Sequence, residues 1–507
     1  MAGAALSAIA APAMAQDAAL LERLEALESR FEALANENEH LRAQVAQLRT
    51  PAPAPAVPPV AAQSAAAHAA NPRDAGATPQ LAYEDVLVGT SSAYGYRILD
   101  HAVNATSKPL VQLEAMQAGE LDRRVTLSGA VIAIANAQWS NVDSKFGYLM
   151  RNPTSANQIG DRVSEALLHS ASLAVTARVA PSVTAYAELL YDPQQSFAAG
   201  TITGLARNQI SLRRGWVMLG NLDKAPVYAL VGKMDTPFGL QDTVSPFTNS
   251  TNWHAFAGLA YGAQAGYVSG GLHVRAMAIQ GGAQFRSANV PVEGTNVPSR
   301  LNNFALDARY TLDLAAMGLG GLDNALLVGA SYQHGTAYCQ DYPVFHFNPC
   351  ADNNPGIAAY GKLTYGPLTL LGEYAQTTKV WAGTAVPDPT NPLSIYDAVK
   401  PRAFTIGGRF GFGSRMAVEQ RREFALSGEF SRFISGDDGA PWERQTQLVV
   451  GGSWFPVANV NMFGELTHVD GFVPLNFLSG GNFPDGSTWS EQGVNTKVVL
   501  VGAQVAF

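Results

Sequence analysis

Charge is scarce in this 507-residue chain: Asp, Glu, Lys and Arg make up 15% of it, against about 25% in an average soluble protein. There is also no run of about 18 apolar residues, which excludes a membrane-spanning helix, although 47% of the chain is hydrophobic. Together these two shortages fit strands that cross a membrane as a closed barrel, with apolar and polar residues alternating. Basic clusters are missing too. Lys+Arg 33 against Asp+Glu 41 gives a formal net charge of -8, which argues against nucleic acid as a partner. The chain contains no G-x-S-x-G, H-E-x-x-H or P-loop signature, so neither an enzyme nor a cofactor is indicated; catalytic residues dispersed over loops would leave no such trace. The only cysteines, Cys339 and Cys350, lie in the segment YCQDYPVFHFNPCADNNPG. In an exported protein this spacing suggests one local disulfide. With only His346 nearby, they do not complete a zinc set, and no metal is expected.

The first residues, MAGAALSAIAAPAMAQ, read as the apolar part of a secretory signal over 1–15. Ala13-Met14-Ala15 forms an A-x-A cleavage site before Gln16. The positive n-region is missing, which points to a start further upstream. Over 16–49 the residues Leu20, Leu24, Leu27, Phe31, Leu34, Asn38, Leu41, Val45 and Leu48 alternate steps of four and three. This is an unbroken heptad seam, expected to form a coiled coil in which Asn38 fixes the register. Dimer and trimer both satisfy the seam. Residues 50–80 are rich in Ala and Pro and read as an extended spacer holding the coiled coil away from the rest of the chain. Residues 81–123 are ambiguous: a plug, a cap or a lead-in to the first strand.

From 124 to 507 the chain shows about sixteen strand-like runs, near 124–137, 168–180, 182–192, 208–220, 226–235, 257–269, 271–282, 302–314, 324–335, 356–366, 367–381, 402–412, 421–436, 444–457, 458–470 and 494–507. In the run from Asn302, Phe304, Leu306, Ala308, Tyr310 and Leu312 oppose Asn303, Asp307, Arg309, Thr311 and Asp313. That is the period of two of a strand with one apolar face. Short turns are read at 180–182, 221–225, 269–271, 318–323, 365–367 and at Pro456, and most of the segments between them are longer. The alternation of short and long connections suits an outer-membrane barrel with short periplasmic turns and longer outer loops. The last strand, with Val499, Val501, Ala503, Val505 and Phe507 on one face, resembles the closing strand of bacterial outer-membrane barrels. The expected class is therefore all-β, a transmembrane antiparallel barrel of about sixteen strands with an N-terminal α-helical coiled coil. Its termini and the coiled coil are expected on the periplasmic side.

Gly232-Lys233-Met234-Asp235-Thr236-Pro237-Phe238-Gly239 ends the fifth run and opens the third long loop. The stretch resembles the G-K-x-x-T-P-F-G segment of phosphate-selective and related anion porins. In general porins that loop folds into the lumen and sets the constriction. The whole arrangement of signal, coiled coil, spacer, the segment ILDHAVNATSKPLVQLEAM and barrel is similar to the siderophore porin family typified by the legiobactin-uptake porin. The resemblance implies passive uptake of a small polar solute, ferric chelates included, by a homotrimer in outer-membrane lipid. Asp235 and the lack of a dense lysine ladder depart from the phosphate-selective pattern.

Candidate pore-lining charges are Lys233, Arg178, Arg213, Arg275, Arg309, Lys362 and Arg409, facing Asp235, Asp242, Asp307, Glu373 and Glu465. Opposed charges would set a transverse field that orients polar solutes; a solvated lumen charge without a special role is the plainer reading of each. Trp253 and His254 are candidates for contact with a sugar or chelate, or for an interface position, and His273 is placed on the lumen face. Two further functions stay open: a carbohydrate or anion porin, and a structural anchor whose coiled coil ties the membrane to peptidoglycan.

Overall fold

The computed structural model describes residues 88–151, 160–192, 196–197, 205–206, 209–280, 301–319, 324–338, 353–381, 396–416, 421–473 and 491–507. The expected signal, coiled coil with Asn38, spacer, Cys339 and Cys350 lie outside the described residues.

The element order is β1 (Val88–Thr90), α1 (Ser92–Leu99), α2 (Lys108–Gln117), β2 (Val125–Ser140), β3 (Arg162–Ala180), β4 (Val183–Asp192), β5 (Gln209–Gly220), β6 (Val227–Asp235), α3 (Thr251–Phe256), β7 (Leu259–Ser269), β8 (Leu272–Gln280), β9 (Leu301–Asp313), β10 (Ala325–Gln333), β11 (Gly356–Tyr365), β12 (Leu368–Thr377), β13 (Arg402–Arg415), β14 (Arg422–Ile434), β15 (Arg444–Val457), β16 (Val460–Val473) and β17 (Glu491–Ala506). Strands β2 to β17 pair antiparallel with their sequence neighbours, and β17 pairs with β2 from Thr496↔Ser140 to Ala506↔Ala130, so sixteen strands close on themselves. Each run expected from alternation coincides with one of these strands. One turn is displaced: β15 continues through Pro456 to Val457 with a register shift after Trp454, and the chain reverses at Ala458–Asn459. A bulge absorbs the donor that proline lacks.

The period of two sorts the side chains. On β9, Phe304, Leu306 and Tyr310 are exposed on the outer face, whereas Asn303, Asp307 and Arg309 are buried on the inner face. Val217, Val231, Ile406, Leu426, Leu466 and Val501 continue the apolar exterior around the ring. Closure pairs every strand edge, the one way a sheet avoids unpaired backbone groups in a lipid environment. Among the described residues, no helix is long and apolar enough to cross a membrane.

The inner segment, 88–121, occupies the lumen at the end of the barrel that carries the short turns. β1 runs parallel to β2 (Val88↔Val125 to Thr90↔Leu127) and fills the stretch of β2 that β17, whose pairing begins at Ala130, leaves uncovered. Ser91 caps α1 by accepting from the Tyr94 N–H, and Pro109 sits in the first turn of α2, where its missing N–H costs nothing. Ile98, Val111, Leu113 and Leu121 then pack with Tyr94 on an apolar inner wall of Tyr186, Trp216, Met218, Tyr228, Leu230, Met277 and Ile279. Burying one such aliphatic side chain contributes about 1.5–3 kcal/mol, so burial holds the segment while polar contacts set its position.

Candidate functional site: the occupied lumen

The third long connection, 236–258, turns into the barrel. Gly239 adopts φ +75°, a conformation a side chain disfavours, and directs the chain inward after Pro237. The loop then follows the inner wall, and its backbone donors are satisfied by acceptors on alternate strands. Ser331 of β10 accepts from Gly239 N (2.9 Å). Glu373 of β12 accepts from Leu240 N and Gln241 N (both 2.9 Å). Glu429 of β14 accepts from Val244 N (3.0 Å) and Thr243 Oγ1 (2.7 Å). Glu465 of β16 accepts from Phe247 N (2.7 Å), Thr248 N (3.0 Å) and Thr248 Oγ1. Ser431 of β14 accepts from Thr251 N (3.0 Å), and Ser250 caps α3. No cation among the described residues lies within ion-pair distance of Glu373, Glu429 or Glu465; amide donors carry the compensation. The wall leaves room for this path, since a Cβ at Gly451 would meet Pro246 Cδ at 2.5 Å and one at Gly407 would meet Val244 Cγ2 at 2.5 Å.

The inner segment reaches this loop. Thr243 N donates to Ala102 O (2.9 Å), Ala105 N to Asp242 Oδ1 (3.1 Å) and Thr106 Oγ1 to Gly239 O (3.1 Å). His101 Nε2 lies 2.9 Å from Phe247 O. The two segments are thus joined inside the barrel.

Most of the charges singled out in the sequence serve these two segments. Arg178 donates to Leu121 O. Arg275 pairs with Asp307 (2.6 Å) and also donates to Thr106 O. Asp307 further accepts from Ser331 (2.7 Å) and Tyr360 (2.6 Å). Asp242 also binds Lys362 Nζ (3.0 Å). Arg309 reaches Ser107 Oγ at 3.4 Å. Arg409, opposite the buried Thr369 and Ser427, lies on the inner face and is partly exposed. Lys233 donates to Leu212 O (3.0 Å) and lies over the Tyr261 ring. Asp235 takes a two-pronged contact from Arg214 (2.6 and 2.8 Å), which also reaches Glu188. Arg213, expected on the lumen face in its own right, is the extra residue of a bulge: Glu188 pairs with Arg214 and Leu189 with Leu212. Arg213 keeps a longer contact, 3.7 Å, to Glu188. His273 Nε2 lies 2.8 Å from the Tyr228 hydroxyl. Trp253 and His254 are buried in α3, edge to face.

Sequence reasoning passed over Arg421, Asp100, Lys108 and Glu429. Arg421 pairs with Asp100 and lies over the Tyr96 ring at 4.4 Å, tying α1 to the turn before β14. Lys108 Nζ closes the end of α1 by donating to the carbonyls of Arg97, Asp100 and Val103. Burial pushes the Asp100 carboxyl up, but Arg421, His101 and Lys108 together hold it below the usual carboxylate range. Glu429 was legible: it shares the polar face of its strand with Ser427 and Ser431, opposite Leu426 and Phe430. Towards the loop end, Phe256, Tyr338, Trp381, Phe433, Trp442 and Phe472 form a buried aromatic cluster.

No protein-family profile matches the chain, and no curated protein does. Among solved structures the chain is similar to outer-membrane expressed OmpT of Vibrio cholerae (11% identity, 76% of this chain and 98% of that one, TM-score 0.40). It is similar to Pseudomonas putida OprB at high pH (10% identity, 78% and 97%, TM-score 0.45). A third likeness is to a substituted Rh. blastica porin (12% identity, 76% and 100%, TM-score 0.37).

Proposed function

We propose that the chain is an outer-membrane channel for small polar solutes. The observation that carries this is the closed sixteen-strand ring, apolar outside and polar inside along most of its wall, whose third long loop folds inward. A membrane-spanning ring needs the apolar face for lipid, and a solute path needs the polar one. In this reading Lys233, Asp235, Asp242 and Lys362 set the constriction; the likeness of GKMDTPFG to anion porins supports an anionic cargo, and the likeness of the whole arrangement to siderophore porins supports a ferric chelate. The heptad seam supports self-association, and the resemblance to porins supports a trimer. Single-channel recording of the folded chain in a planar bilayer tests the reading: ohmic openings in threes, blocked by the cargo, are expected, and a silent barrel of verified fold would sink it.

The segment 88–121 held inside the lumen supports a second reading, a structural anchor whose N-terminal region ties the membrane to the cell wall. Deletion of residues 16–80 is then expected to detach the membrane without changing its permeability, and an unaltered envelope counts against it.

A further inference from the structure

The outer wall of the barrel changes character near the long-loop end. Arg402 on β13, Arg432 on β14, Arg444 on β15 and Lys497 on β17 are flanked by the buried inner residues Ala403, Phe433, Gln445 and Thr496, so all four lie on the outward face. Arg162 on β3 joins them: it stands in register with the exposed Trp139, and Trp139 with Lys497. Near the same end, the outward positions of β9 to β12 carry Phe304, Tyr332, Ile357 and Gln376, all uncharged.

These cations stand at the edge of the apolar band. Towards the short turns, the rings of Phe412, Phe424 and Trp454 stack in a row on the outer wall. Arg444 lies about ten residues from Trp454 along β15, roughly 34 Å of strand and roughly 25 Å of height at a tilt near 40°, the height of the lipid-facing band of an outer-membrane barrel. Between them the outward face presents Gly452, Val450 and Leu448 before Thr446. Phe404 and Phe430, with ring centroids 5.7 Å apart, and Trp139 mark the upper border, and Arg432 lies over the Phe430 ring at 5.6 Å.

Two of the guanidiniums converge. Arg432 Nε and Arg444 Nη1 donate to one oxygen, Thr446 Oγ1, at 3.0 and 3.3 Å. Arg402 stands in register with Ile434, and Ile434 with Arg444. Nearby carboxylates serve only part of the set: Asp470 and Glu443 pair with Arg444 (3.0 and 3.5 Å), and Asp161 with Arg162 (3.7 Å). Arg402, Arg432 and Lys497 have no carboxylate within ion-pair distance among the described residues. Like charges held this close favour an anion between them.

We propose that Arg402, Arg432, Arg444 and Lys497 dock the phosphate groups of a phosphorylated glycolipid in the outer leaflet. The long loops of such barrels lie outside the cell, so this edge of the wall meets the headgroups of that leaflet. Below Lys497, the small residues Ala135, Ala137 and Ala166 leave an apolar groove beside Val499 and Val501, a bed for an acyl chain that a soluble anion would not use. A second copy is the poorer occupant, because the uncharged outward face of β9 to β12 offers these cations no counter-charge. The inference needs the barrel to sit in the outer membrane and does not need it to conduct.

The test is titration of purified rough lipopolysaccharide into the full folded chain in detergent, read by native mass spectrometry and by the shift of its thermal unfolding. Wild type is expected to bind and to be stabilised. The double change Arg402→Gln with Arg432→Gln is expected to weaken binding about tenfold or more, the worth of a charge-assisted hydrogen bond, and to leave single-channel conductance unchanged. Lys497→Gln alone provides a second measure if the double variant does not fold. Dephosphorylated lipopolysaccharide should bind at least tenfold more weakly than the phosphorylated form. Equal binding of the two forms, or binding that neither the double change nor Lys497→Gln weakens, overturns the site. Displacement of the glycolipid by an equimolar amount of inorganic phosphate overturns it as a lipid site. Loss of self-association in the variants without lipid also overturns it, since that makes the patch a contact between copies. A silent barrel that binds the glycolipid removes the channel and keeps the site; a conducting barrel that does not bind removes the site alone.

Discussion

At the scale of single residues, the ion pair between Arg421 and Asp100 shows how burial raises the stakes of one contact. Both side chains are almost fully enclosed, 9% and 3% exposed. Removing one partner leaves the other charge stranded, so Arg421→Ala is expected to cost about 3–5 kcal/mol of inner-segment docking, read as faster hydrogen exchange through α1. The acid response has a definite sign. The Asp100 carboxyl is held below its ordinary range when docked, so its contribution is present above an unfolded value of about 3.9. It is lost as pH falls through the docked value. The protection of the α1 amides, their exchange rate relative to that of an unstructured chain at the same pH, should therefore stay constant down to about pH 5 and fall below about pH 4, and Asp100→Asn should remove that acid step.

At the scale of elements, the inward loop is held by carboxylates spaced two strands apart, each serving different amides. Each such contact should fail locally. Glu373→Ala leaves the Leu240 and Gln241 donors without their acceptor, a cost of about 1–3 kcal/mol per buried donor. Exchange at those two amides should rise while Phe247 and Thr248, on Glu465, stay protected; uniform loosening of the loop would show that the contacts act as one unit. The end of the strand was legible in GKMDTPFG, where Pro237 and Gly239 follow one another closely, but the inward direction was implied only by the resemblance to porins. The carboxylates' partners were not legible, because alternation reports which face a residue is on and not what approaches that face. The bulge at Arg213 was hidden for a related reason: two consecutive arginines give no sign of which one is the extra residue.

For the molecule as a whole, the sixteen strands could be read from the chain, whereas the enclosure of 88–121 could not be decided from that segment's composition. A signal was present elsewhere. On β5, Val217 and Leu219 face outward while Trp216 and Met218 face inward, so both faces are apolar and the alternation is erased. A barrel strand of that kind needs cover on both sides, lipid on one and protein on the other. Deleting 88–121 should therefore bare this wall to water and lower the unfolding midpoint measurably, while raising conductance in those barrels that still fold. The ring itself is closed by its first and last strands. No partial chain can therefore pair both edges, and every stage of biogenesis before β17 becomes available leaves open strand edges that invite aggregation. A sheet without edges is therefore reached only when the last strand meets the first.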